Sequence, residues 1–178
     1  MTRPLRDDSP CRIMIVDDEP RVVAAVRRIF AVSPQILVEG ATSPLLALEM
    51  VRRFSDLRLI ISDYLMPEMD GLKLLAEVDR LRPQVVRILL TGHADLETAL
   101  RAINQVGVYK FILKPWNNHD LYWTVMRALE LEAVRRENLV LQERIDQQAL
   151  LLARVEKLYP GISHIERDHD GAVILTDE

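Results

Sequence analysis

Residues Leu57–Gly71 read LRLIISDYLMPEMDG. The first six, Leu57–Ser62, form an aliphatic run too short for a buried helix and right for a strand. Asp63 stands directly after it. Asp70-Gly71 then precedes Leu72, Leu74, Leu75 and Val78, which repeat at helical spacing. A strand, a loop that begins with a carboxylate, then a helix: this unit decides the fold, because it recurs along the chain.

Four further apolar runs read as strands: Arg12–Val16, Ile36–Glu39, Val86–Leu90 and Tyr109–Leu113. Helical patterns separate them. Pro20 precedes Val22, Val23, Val26, Ile29 and Phe30. Ser43-Pro44, a cap followed by proline at the first helical position, precedes Leu45, Leu48, Met50 and Val51. Asp95 precedes Leu96, Ala99, Leu100 and Ile103, with Gly107 as the stop. Strict alternation predicts an α/β fold, a five-stranded parallel sheet with helices on both faces; in the flavodoxin-like order 2-1-3-4-5 the ends of the first, third, fourth and fifth strands converge on one cleft. Such a sheet carries its chemistry at the C-terminal ends of its strands.

The fifth helix starts near Asn118–Asp120 and meets no Gly or Pro from Asn117 through Tyr159. Steps of three and four connect Leu131, Val134, Asn138, Leu141, Ile145, Gln148, Leu152, Val155 and Tyr159, a heptad seam. Asn138 takes a core position, where a polar residue fixes register, and Glu130 would face Arg135 across a parallel dimer. Gln148 weakens the seam, and Leu150–Leu151 lie off it; one long helix folded back on its own domain is the competing picture. After Pro160-Gly161, two strand-like runs flank Asp170-Gly171, a hairpin signal. The expected organisation is a disordered arm over 1–9, a domain over 10–130, a coiled-coil helix over 131–159 and a hairpin-like tail over 160–178.

Composition narrows the function. The 178 residues carry one cysteine, Cys11, so no internal disulfide forms and a reducing cytoplasm is the expected compartment. No apolar run approaches the roughly 20 residues of a membrane helix, and no signal peptide opens the chain. Residues 1–120 hold 16 basic and 16 acidic residues, so the whole net charge of −4 falls after them. Nucleic-acid affinity comes mostly from neutralised phosphates, so this acidic stretch argues against a DNA-binding output.

Set against the strand ends, the polar residues form a constellation. Asp17 and Asp18 follow the first strand, Asp63 the third, Thr91 the fourth and Lys114 the fifth. Three converging carboxylates repel, and a hard divalent cation offsets that cost. Mg²⁺ suits oxygen ligands together with phosphate oxygens. Lys114 supplies a point charge and Thr91 a hydroxyl for phosphoryl oxygens. Asp63 is the candidate nucleophile, since a carboxylate can accept a phosphoryl group.

IVDDEP, SDYLMPEMDG, LLTG and FILKPW, in this order and each after a strand, resemble the receiver domain of two-component response regulators over about residues 10–130. The resemblance implies that Asp63 is phosphorylated by a sensor histidine kinase or phosphotransfer protein. It implies that Asp18 binds Mg²⁺ (or Mn²⁺) directly, that Asp17 helps indirectly, and that Leu65 lends its backbone carbonyl. Lys114 would bridge to the phosphoryl group and Thr91 would move towards it. Phe111 matches the switch aromatic and Pro115 a cis-peptide position. Leu65 and Glu68 sit where neighbours of the phosphoacceptor tune its lifetime. Output would pass through the face of the fourth helix, fifth strand and fifth helix, then through a homodimeric coiled coil to a protein partner, without nucleic acid or membrane.

The stretch from Thr91 to Trp116 is also similar to receivers that precede HD-type cyclic-dinucleotide phosphodiesterases. The alternative reading is therefore the regulatory N-terminal part of a larger enzyme, cut after the linker; a DNA-binding transcription regulator ranks third. No separate catalytic domain is visible, and the receiver acts only on its own phosphorylation. His93, His164 and His169 read as loop or tail residues rather than bases or ligands. Trp116, Tyr122 and Trp123 read as core or interface, Tyr109-Lys110 as solvated strand or partner contacts, and Cys11 as an unreactive thiol ahead of the first strand.

Overall fold

The computed structural model describes residues 10–92 and 106–159. The predicted N-terminal arm, most of the fourth predicted helix with His93, and the tail with His164 and His169 lie outside the described residues. Two compact units meet after Val134.

The first unit is a parallel sheet of five strands in the predicted order, β2-β1-β3-β4-β5. The strands are β1 (Cys11–Val16), β2 (Ile36–Ala41), β3 (Leu57–Asp63), β4 (Val86–Thr91) and β5 (Lys110–Leu113). The first four run one or two residues beyond the predicted ends, and β5 starts one residue later than predicted, at Lys110 rather than Tyr109. Cys11 opens β1 rather than preceding it, and Asp63 and Thr91 are the last residues of their strands.

The described helices are α1 (Pro20–Phe30), α2 (Pro44–Arg53), α3 (Gly71–Leu81) and α4 (Asn118–Leu158), the last being the fifth predicted helix. Their starts follow the expected capping chemistry. Ser43 accepts a hydrogen bond from the Leu46 amide at 3.2 Å, with Pro44 behind it. Asp70 accepts from the Lys73 amide at 2.8 Å. Asn117 accepts from the His119 and Asp120 amides at 2.8 and 3.3 Å. Gly107 adopts φ +62°, the left-handed conformation that suits a helix stop.

Strand side chains alternate between two cores. Met14, Val16, Ile60 and Leu89 face α2 and α3, with Ala47, Val51, Leu74 and Val78. Ile13, Ile15, Ile61, Ile88 and Leu90 face α1 and the start of α4, with Val26, Phe30, Leu121, Val125 and Leu129. Trp116 and Tyr122 pack on this second core, as predicted, and Tyr122 stacks on Phe30. The N-terminal end of the sheet is tied by ion pairs. Arg12 engages Glu39 and Asp56 and lies over the Phe54 ring. Arg58 engages Glu132 at 3.1 Å, and Arg87 engages Asp79 at 2.9 Å.

α4 is 41 residues long. Its buried face is Leu121, Val125, Ala128, Leu129 and Glu132. Beyond that face the seam residues Leu131, Val134, Leu141, Ile145 and Leu152 are exposed, as are Leu139, Val140, Leu150, Leu151 and Leu158 off the seam. No described helix is long and apolar enough to cross a membrane.

Candidate functional site

The ladder hydrogen bonds bring four strand ends to a common edge. Asp63 pairs with Leu90 and Thr91 with Leu113. Bonds run one residue further: Tyr64 N donates to Leu90 O at 2.9 Å, Lys114 N to Thr91 O at 2.8 Å and Asp17 N to Ala41 O at 3.2 Å. The side chains of Asp17, Asp63, Thr91 and Lys114 therefore start from neighbouring positions.

Lys114 joins the two carboxylates. Its Nζ lies 2.8 Å from Asp17 Oδ2 and 2.5 Å from Asp63 Oδ1. Asp17 is 1% exposed and Asp63 6%. The other Asp17 oxygen accepts from the Glu19 amide at 2.9 Å. Burial pushes the Asp63 carboxyl above the usual range; the Lys114 hydrogen bond opposes this and the Asp17 charge adds to it. Lys114 experiences the reverse. Burial pulls it down, but bonds to Asp17 and Asp63 outweigh that and raise it. One ammonium is held by two buried carboxylates, and negative charge remains in excess.

Tight backbone packing holds Asp63. Fully buried Ser62 donates its hydroxyl to the Asp63 carbonyl at 2.9 Å. The Gly71 amide donates to Tyr64 O at 2.8 Å and closes the loop. A Cβ on Gly71 would lie 1.9 Å from the Asp63 carbonyl oxygen, so only glycine lets α3 start here. Between them Glu68 adopts φ +70°, and Met69 N donates to Pro67 O at 2.8 Å, a γ-turn of the rare positive-φ kind.

Other predicted positions surround this centre. Thr91 is fully buried, its hydroxyl donating to Gly92 O at 3.3 Å. Phe111 is half-buried and packs against the core shared with α2 and α3. The Lys114–Pro115 peptide bond is cis. Asp18 and Leu65 are exposed. No group of three or more His, Cys, Asp or Glu side chains is arranged to hold a metal among the described residues. Asp17 and Asp63 are the pair that closes on Lys114.

Sequence reasoning did not single out Ser62, or the steric need for Gly71. It also missed Arg58 with Glu132. A charged residue inside the run LRLIIS, and an acid in register with Leu121, Val125 and Leu129, were the available signals.

Residues 13–126 match the response regulator receiver domain. The chain belongs to this family. The hydrogenase transcriptional regulatory protein HoxA of Cupriavidus necator is 32% identical over 128 residues, covering 72% of this chain and 26% of that protein. The regulatory protein AtoC of Escherichia coli is 34% identical, covering 71% and 27%. The chain thus spans about a quarter of the length of these curated relatives. The signal receiver domain of an HD domain-containing protein from Pseudomonas fluorescens superposes with a TM-score of 0.68 at 30% identity, covering 74% of this chain and 94% of that one. Receiver relatives thus include one from an HD domain-containing protein, in keeping with the similarity of the Thr91–Trp116 stretch.

Proposed function

We propose that this receiver is a phosphorylation-driven switch with Asp63 as its phosphoacceptor. The observation that carries this is one ammonium shared by two buried carboxylates at the converging strand ends. An Asp63 oxygen attacks the phosphorus of a phosphohistidine. The new P–O bond makes an acyl phosphate as the P–N bond breaks, and the imidazole nitrogen keeps the bonding electrons. Lys114 can follow the incoming oxygens while staying anchored on Asp17.

The donor set fits Mg²⁺. It is all oxygen and hard, and its two buried carboxylates match a cation that takes one or two carboxylates and keeps several waters. Asp17, Asp63, Asp18 and the Leu65 carbonyl would hold it, with Mn²⁺ as a substitute. When bound, the cation neutralises the charge that gathers on the phosphoryl oxygens. Thr91 then donates its hydroxyl to a phosphoryl oxygen instead of to Gly92. Phe111 has no hydroxyl, so it reports the change by packing alone.

The donor of the phosphoryl group is a histidine kinase or phosphotransfer protein. The output runs through the exposed seam of α4, where Leu131, Val134, Asn138, Leu141, Ile145, Gln148, Leu152 and Val155 meet a second copy of this chain in a parallel coiled coil. In this reading the receiver occupies 10–130, the coiled coil 131–159 and the tail 160–178. Phosphorylation changes the pairing or register of this helix and so the surface offered to a protein partner in the cytoplasm. The test is labelling with acetyl phosphate. Wild type gains an acid-labile, Mg²⁺-dependent label and Asp63→Asn gains none; a label that persists in Asp63→Asn overturns the assignment. A second reading, the regulatory part of a longer regulator or enzyme, is favoured by the length of HoxA and AtoC. The natural reading frame distinguishes the two.

A further inference from the structure

Two local irregularities meet at one ion pair. The β1–β3 register runs Arg12 to Leu57, then Ile13 to Leu59, so Arg58 is an extra residue in β3. Such a bulge re-aims a side chain. Across the second core, Glu132 is 8% exposed and is the last buried residue of α4. Arg58 Nη1 reaches both Glu132 oxygens, at 3.2 and 3.1 Å, across 74 residues of sequence. Acids are almost never buried unless paired.

The pair is costly. Burial raises the Glu132 carboxyl above its usual range, although Arg58 opposes the shift. A buried ion pair of this kind is weak evidence for stability, and its best-attested use is to specify one arrangement. Its neighbours show which arrangement is specified. Leu131 and Val134, on either side of Glu132, are 60% and 57% exposed. With Glu132 held inward, those two must point outward, since successive helical residues are about 100° apart. The first unit ends at Val134, where this contact is the last buried one.

We propose that the Arg58–Glu132 ion pair is the anchor that sets the rotational phase of α4 as it leaves the receiver, and so which helix face Leu131 and Val134 present. This deepens the coiled-coil reading and rests on it for its consequence, though not for its geometry. The bulge in β3 delivers the guanidinium, and the pair transmits any shift of the sheet to the helix.

The experiment uses the full chain. In Glu132→Ala, amide exchange over residues 129–134 rises about tenfold, as expected when a local contact is lost, while α1 and β1 keep their protection. In the apolar replacement Arg58→Met with Glu132→Leu, thermal stability and Asp63 labelling are retained. The disulfide yield across Val134→Cys, which responds to acetyl phosphate in the otherwise wild-type chain, no longer responds. Unchanged exchange in Glu132→Ala overturns the anchor, as does a phosphorylation response that survives the apolar replacement. If Val134→Cys forms no disulfide in either state, the dimer reading falls, and the amide exchange alone decides the anchor.

Discussion

The two ends of the sheet handle charge in opposite ways. At the N-terminal end, arginine forks hold the carboxylates: Arg12 takes Glu39 and Asp56, Arg58 takes Glu132 and Arg87 takes Asp79. At the C-terminal end, Asp17 and Asp63 share the single ammonium of Lys114. The first end uses charge to locate elements. The second leaves negative charge partly uncompensated in a buried setting, which suits a cation and a phosphoryl group. The difference shows that binding capacity comes from what is left unbalanced rather than from the number of ionised groups.

Removing the shared ammonium should break this contrast most severely. Lys114→Met leaves two buried carboxylates facing one another, and loss of one partner from a buried pair costs about 3 kcal/mol. Chemical denaturation should show that loss, and millimolar Mg²⁺ should recover part of it by binding the native state. Gly71→Ala comes next. Its Cβ meets the Asp63 carbonyl, and overpacking of this kind costs about 2 kcal/mol. Slower acetyl phosphate labelling should accompany the lower melting temperature, since the Asp63 backbone must move.

Asp63→Asn should change stability in the other direction. The folded carboxyl titrates above its unfolded value, so the native state binds more protons than the unfolded one, and stability falls as pH rises through that window. The variant should therefore melt a few degrees higher than wild type at neutral pH, about 1 kcal/mol. The gap should close as pH falls through the folded pKa towards the ordinary value of about 3.9. A constant gap from neutral to acid pH would remove burial of Asp63 as its cause. The smallest effect belongs to the other end. Arg12→Met gives up partly exposed pairs and should cost under about 1 kcal/mol, less in high salt. A larger, salt-independent loss would erase the distinction between the two ends.

Much of this architecture is legible in the sequence. Asp17, Asp63, Thr91 and Lys114 could be assigned to one edge because strand length and helical spacing are local properties, and parallel crossover topology then brings strand ends together. The Ser43 and Asp70 caps were legible for the same reason. Arg58 looked like an interruption in an aliphatic run, and Glu132 like one more charge on a long helix. Their partnership spans 74 residues and depends on a one-residue bulge, which no local pattern announces.

By itself the sequence determined the α/β alternation, the polar residues that stand at the strand ends and the unbroken run of α4. Those follow from periodicity, capping and residue chemistry acting over a few positions. Only the tertiary structure decided that Lys114 bridges both Asp17 and Asp63, that α3 starts in contact with the Asp63 carbonyl, and that Glu132 is drawn inward to Arg58. Each depends on distances across separate elements, and burial and hydrogen bonding act on those distances rather than on order along the chain.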